Sequence, residues 1–343
     1  MKKNHLTTLA ILLSGIYSVS AQQINSSYKI SKINIEGNGG WDYMAVDENT
    51  NRLFVSHGTV VNVVDTKDKK VVGIIEETKG VHGIALAENL NKGYVSNGRD
   101  TSVTIFNLKT LQIISKVKVT GINPDAILFD NFSQKVFVFN GRTNNATVID
   151  ANTDKVISTI SLSGKPEFSV SNNNGLVYVN IENKNEIAVI NSKTFAIENT
   201  WSILPGDEPT GLAIDNKNHR LFSVCGNKLM VVTDAQNGKV ITTLTIGDHC
   251  DGLVFDAQRK NIFTSNGEGT ITVINEENEN TFRVLETITT QKGAKTISLN
   301  NKTHQLFLSV AELGEMPPVT DEHPKPKVPI MPNTFGVLVV EKK

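Results

Sequence analysis

The chain has 343 residues, 39% of them hydrophobic and 20% charged, with 25 glycines and a formal net charge of −1. That composition is globular and excludes collagenous, disulfide-rich and low-complexity chains. The near-zero charge supplies no field for a nucleic acid or an anionic membrane, so neither is an expected partner.

Residues 1–21 read as a signal peptide. MKKNH is a positive start, LTTLAILLSGIY an apolar stretch, and SVSA a small-residue cleavage site after Ala21. The apolar stretch is too short for a permanent anchor, and no other segment approaches membrane-spanning length. Cleavage would remove Lys2 and Lys3 and take the net charge to −3. The expectation is an exported monomer, periplasmic or secreted, with no transmembrane anchor.

From residue 41 onward the chain repeats itself. Seven segments start alike: WDYMAVD at 41, VHGIALA at 81, PDAILFD at 124, PEFSVSN at 166, PTGLAID at 209, CDGLVFD at 250 and AKTISLN at 294. Their second residues are spaced by 40 to 44 residues. An aromatic follows eleven or twelve positions later: Phe54, Tyr94, Phe137, Tyr178, Phe222, Phe263 and Phe307. Alternating runs such as VNVVD, VTIFN and ITVIN come next, then a turn such as TKDKK, then a fourth run such as KVISTI.

Four short β-branched runs per unit, punctuated by Gly, Asn and Asp, predict four strands. A four-stranded unit repeated near forty residues predicts an all-β, seven-bladed β-propeller over 22–343. The last unit lacks a fourth strand. YKISKINIEG at 28–37 reads like that strand, so the N-terminus should close the last blade and remove the open edge.

The YVSNG, FVSHG and VTVID-type cores resemble the YVTN-repeat propellers, the YncE-like family, over residues 28–343. The resemblance implies an exported propeller and no particular activity. It also implies that the loop entering each innermost strand shares a face with the loop between the second and third strands.

Two rings of residues then gather on that face. The first is Asp42, His82, Asp125, Glu167, Thr210, Asp251 and Lys295. The second is His57, Asn97, Asn140, Ile181, Cys225, Asn266 and Val310, with Arg99, Arg142 and Glu268 just beyond it.

Imidazole beside carboxylate is the pairing of acid–base chemistry, so His82, His57 and Asp42 are candidate catalytic residues. Asp42, His82, Asp125 and Glu167 are a candidate set for a divalent cation. Their oxygens favour Ca²⁺ or Mg²⁺, and the imidazole favours Mn²⁺ or Zn²⁺. Asp125, Glu167, Asp251, Lys295, Asn97, Arg99, Asn140, Arg142, Asn266 and Glu268 are candidate ligand-binding residues, the arginines suiting a carboxylate or phosphate. The plainer reading is a solvated rim of a wet channel.

Trp41 and Tyr43 offer an aromatic platform or inter-blade packing, while His219 and His304 read as surface. Cys225 and Cys250 read either as a disulfide between neighbouring blades or as two separate buried thiols. Six of the ten prolines fall between 317 and 332, which predicts an extended insertion over the polar face, a partial lid or a solvated loop.

Three functions fit. One is a propeller binding a small molecule, glycan or protein partner at the axial face. Another is a metal-assisted hydrolase or lyase, lactonase-like, with its site at the same mouth. The third is a structural module of the cell envelope.

Overall fold

A computed structural model describes residues 26–318, 320 and 326–343. The signal-peptide reading of residues 1–21 lies outside the described residues, as does part of the proline-rich insertion. None of the described helices is long and apolar enough to cross a membrane.

The described residues form seven four-stranded antiparallel sheets. Contacts between successive innermost strands run around all seven blades and close into a ring. Those innermost strands are Trp41–Asp47, Val81–Ala87, Pro124–Asp130, Pro166–Ser171, Pro209–Asp215, Cys250–Asp256 and Ile297–Asn300, in blades 1 to 7. Blade 7 is built from both ends of the chain. Tyr28–Asn34 pairs with Gly336–Lys342, from Tyr28 opposite Lys342 to Asn34 opposite Gly336.

A four-stranded sheet cannot bury both its faces alone, so the core lies between blades. The described residues form seven hydrophobic clusters, and each joins residues of two neighbouring blades. The recurring aromatics Phe54, Tyr94, Phe137, Tyr178, Phe222, Phe263 and Phe307 are all buried in the second strands. Tyr94 and Tyr178 also donate their hydroxyls across a boundary, to the carbonyls of Ala151 and Ala235.

One irregularity recurs and positions the site. In blades 1 to 6 the innermost strand slips register just after its first residue, between Trp41 and Met44 in blade 1 and between Val81 and Ile84 in blade 2. A bulge frees ladder groups and re-aims side chains. Serines of the second strands satisfy the freed groups. Ser56 Oγ accepts from the Asp42 N–H at 2.8 Å, and Ser96 Oγ accepts from the Gly83 N–H at 2.8 Å and donates to the Asp125 carbonyl at 2.5 Å. Ser265 donates to the carbonyls of Gly252 and Lys295. The serine of the YVSNG-type motif therefore holds the bulge.

Candidate functional site

In blades 1 to 6 the bulge presents the second residue of the innermost strand to the axial mouth, and in blade 7 Lys295, just before Ile297–Asn300, takes the equivalent place. Asp42, His82, Asp125, Asp251 and Lys295 are half-buried there, and Glu167 is buried. His82 donates from Nδ1 to Asp42 Oδ2 at 2.7 Å and lies 3.7 Å from Asp125 Oδ1. One ligand atom from each of Asp42, His82 and Asp125 falls within 4.8 Å of the others.

Glu167 does not join this triad. Lys165, the residue before its strand, places Nζ 2.6 Å from Glu167 Oε1 and 2.5 Å from Glu182 Oε2. On the far side of the mouth Asp251 is paired with Lys295. The positive charge is thus spent on two of the acids, and Asp42 and Asp125 share one histidine.

Protonation follows from that imbalance. Burial and the neighbouring Asp42 push the Asp125 carboxyl up to about 6. Burial pushes the Glu167 carboxyl up to about 7, against the pull of Lys165. Burial alone would lower His82, but the hydrogen bond to Asp42 and the charge of Asp125 outweigh it and raise the imidazole above its usual range. The cup is short of positive charge near neutrality.

An aromatic pair underlies the mouth. Tyr43 of blade 1 and Phe168 of blade 4 meet with ring centroids 5.4 Å apart. The equivalent residues are small in the other blades (Gly83, Ala126, Gly211, Gly252 and Thr296), which leaves room for the pair to span the channel. Burial and the carboxylates of Asp125 and Asp42 raise the Tyr43 hydroxyl well above its usual range. Beyond the pair the channel opens to the opposite face, with a cavity of about 310 Å³ lined by Tyr43, Phe168, Leu212, Val254 and Leu299. Glycine forms one wall of the cup: a Cβ on Gly98 would lie 2.6 Å from His82 Nε2.

The second ring is different. Asn97, Asn140 and Asn266 are fully buried. Asn97 donates to Ser102 and Thr104, Asn140 to Asn145 and Thr147, and Asn266 to Thr270 and Thr272. These amides pin the turn between the second and third strands through their nitrogens, while the Oδ1 atoms of Asn97 and Asn140 are buried without a partner among the described residues.

His57 does not join the Asp42–His82–Asp125 cluster. It stacks on Phe335 at 4.0 Å, its Nδ1 faces Asn62 Oδ1 at 3.1 Å, and burial lowers its basicity. Arg99, Arg142 and Glu268 are exposed on the flanking loops.

Two of the either–or readings resolve, and one surface reading is corrected. No disulfide joins Cys225 and Cys250: both are free and buried, Cys225 in the cluster between blades 4 and 5 and Cys250 in that between blades 5 and 6. Trp41 and Tyr43 form no shared platform, since Trp41 packs on Phe335 at 5.8 Å. His304 is not a free surface residue, because its Nδ1 lies 2.6 Å from the buried Asp256.

The base of the proline-rich insertion pairs Leu313 with Ile330, and Leu313 packs at Gly293 close to Trp41, beside the boundary of blades 7 and 1. Lys165, which the seven repeat motifs leave out, stands immediately before an innermost strand, a column that the same repeat alignment contains.

Comparison with solved structures places this geometry on a known scaffold. The fold is a seven-bladed β-propeller. A structure titled Kuenenia stuttgartiensis hydrazine synthase superposes with a TM-score of 0.71 at 14% identity, covering 87% of this chain and 97% of that one. The structure of U3-55K superposes with a TM-score of 0.76 at 8% identity, covering 91% and 98%. The RRP9 WD40 repeats give 0.76 at 8% identity, covering 92% and 97%. At these identities the likeness is one of fold. No protein-family model and no curated protein matches the chain.

Proposed function

We propose that the protein is an exported binding propeller of the YVTN-repeat type, whose axial mouth takes a small polar ligand through a divalent cation held by Asp42, His82 and Asp125. The observation that carries this reading is the triad itself, two carboxylates converging on one imidazole in a cup otherwise short of positive charge. A cation would replace the proton that Nδ1 now donates to Asp42. The nitrogen ligand favours Mn²⁺ or Zn²⁺ over Ca²⁺. Glu167 with Lys165, and Asp251 with Lys295, then form a polar rim for hydroxyl or carboxylate groups of the ligand.

Calorimetric titration of chelator-treated protein with Mn²⁺ at pH 7.5 tests the reading. The expected result is one site, with protons released to the buffer and affinity lowered more than tenfold in His82→Ala. Absence of binding to the wild-type protein, or unchanged binding in His82→Ala, would overturn it.

A second reading, a metal-assisted hydrolase or lyase, is favoured by the same Asp42–His82 contact, which orients an imidazole as a general base. Among the described residues no Ser, Thr or Cys side chain hydrogen-bonds His82, so the attacking group would be water.

A further inference from the structure

Two adjoining cavities lie beyond the Tyr43–Phe168 pair, away from the acidic mouth. One, of about 310 Å³, is walled by blades 1, 4, 5, 6 and 7, and the other, of about 430 Å³, by blades 2, 3, 4 and 5. They share Phe168, Val170 and Ile214, and between them all seven blades contribute to the wall.

The wall differs in kind from the mouth. Of the whole chain 20% is charged, yet no lysine, arginine, histidine, aspartate or glutamate lines either cavity. Around the smaller one Phe168, Val170, Ile214, Val254, Ile297 and Leu299 are half-buried and turn apolar surface inward. Its aliphatic hydroxyls are used within the fold. Thr296 donates to the Asp42 carbonyl at 2.9 Å, and Ser298 donates to the Met44 carbonyl at 2.8 Å. Asn301, at the outer end, donates its amide to Glu48 at 2.7 Å.

The polar groups left to face the axis belong to the backbone. Each innermost strand ends the order of its sheet and pairs only with the second strand of its blade. Its other edge therefore presents ladder N–H and C=O groups inward.

Such a wall selects by exclusion. A charged group entering it would lose hydration and meet no counter-charge. An aliphatic chain would cover the strand edges and leave their N–H and C=O groups unmet. A flat, neutral ring system with nitrogen at its edge avoids both penalties. Its faces meet the aliphatic side chains and the aromatic pair, and its edge meets the strands. Apolar cavities of about 150 Å³ take benzene, so roughly twice that volume suits two fused rings.

We propose that this part of the channel is a binding site for a neutral, fused heteroaromatic compound, separate from the mouth and independent of any cation there.

Calorimetric titration of the whole chain with indole at pH 8 tests the proposal. Indole should bind at one site, and indole-3-carboxylate, the same ring carrying a charge, at least about tenfold more weakly. Val254→Trp and Leu299→Trp, which fill the cavity from blades 6 and 7, should each abolish indole binding. His82→Ala should bind indole as wild type does, which separates this site from the mouth. Absence of indole binding to wild type would overturn the proposal, as would equal binding of the carboxylate. Both of those comparisons use wild-type protein and stand even where a tryptophan variant fails to fold. Wild-type affinity in either folded tryptophan variant would also overturn it, by placing the ring elsewhere.

Discussion

The two rings on the axial face are neighbours, yet their surroundings differ. The first residue of the innermost strand pairs directly with a second-ring residue, as Val81 does with Asn97 and Pro124 with Asn140. The next residue along belongs to the first ring. Asn97 and Asn140 are sealed and hydrogen-bonded within their own blade, whereas His82 and Asp125 are half-buried and aimed at the axis. The bulge makes the difference. It removes residues such as Asp42 and His82 from the ladder and leaves the preceding ones in it. Composition alone is a poor guide here, since both rings carry polar residues.

The largest effect should come from breaking the sealed ring. Asn140→Ala removes the buried amide that ties Asn145 and Thr147 to the second strand, which should cost about 1 to 2 kcal/mol in urea unfolding. Mn²⁺ binding at the mouth should be unchanged. A variant that unfolds like wild type would place Asn140 with the functional ring after all.

A smaller effect concerns the open ring and is pH-dependent. Glu167 binds its proton more tightly folded than unfolded, its carboxyl being pushed up to about 7. Its contribution to stability is therefore fullest at acid pH and declines as pH rises from about 4.5 through 7. His82, also raised, contributes fully below its unfolded value and loses that contribution as pH rises through the folded one. Melting curves of metal-free protein should show Glu167→Gln flattening the decline between pH 5 and pH 8. A parallel profile in the variant would contradict the assignment.

The smallest effect is expected at the cysteines. Both thiols are free, and burial raises them, Cys225 to about 12. Adding a reductant should leave the melting temperature within a degree of its value without it, and a thiol reagent should label neither residue in the folded protein. A clear drop in Tm on reduction would restore the disulfide.

Much of the architecture was legible because periodicity reports it directly. The spacing of Phe54, Tyr94, Phe137 and their equivalents marks the second strands, and each of these aromatics is buried between blades. The first ring was legible by alignment of the repeats, down to Asp42, His82 and Asp125. The pairing of Glu167 was not, because Lys165 lies outside the motif and its ammonium reaches back over Pro166. The Tyr43–Phe168 pair was hidden for a related reason: its two members come from blades three apart in the ring.

From the sequence alone came the repeat, its strand content and the column of residues beside the axis, since a two-residue alternation and a forty-residue period are written locally. Only the tertiary structure decided which acids find a base. Lys165 serves Glu167, Lys295 serves Asp251 and His304 serves Asp256. Those partners belong to loops or neighbouring blades that ring closure brings together, and burial then makes the presence or absence of a counter-charge decisive.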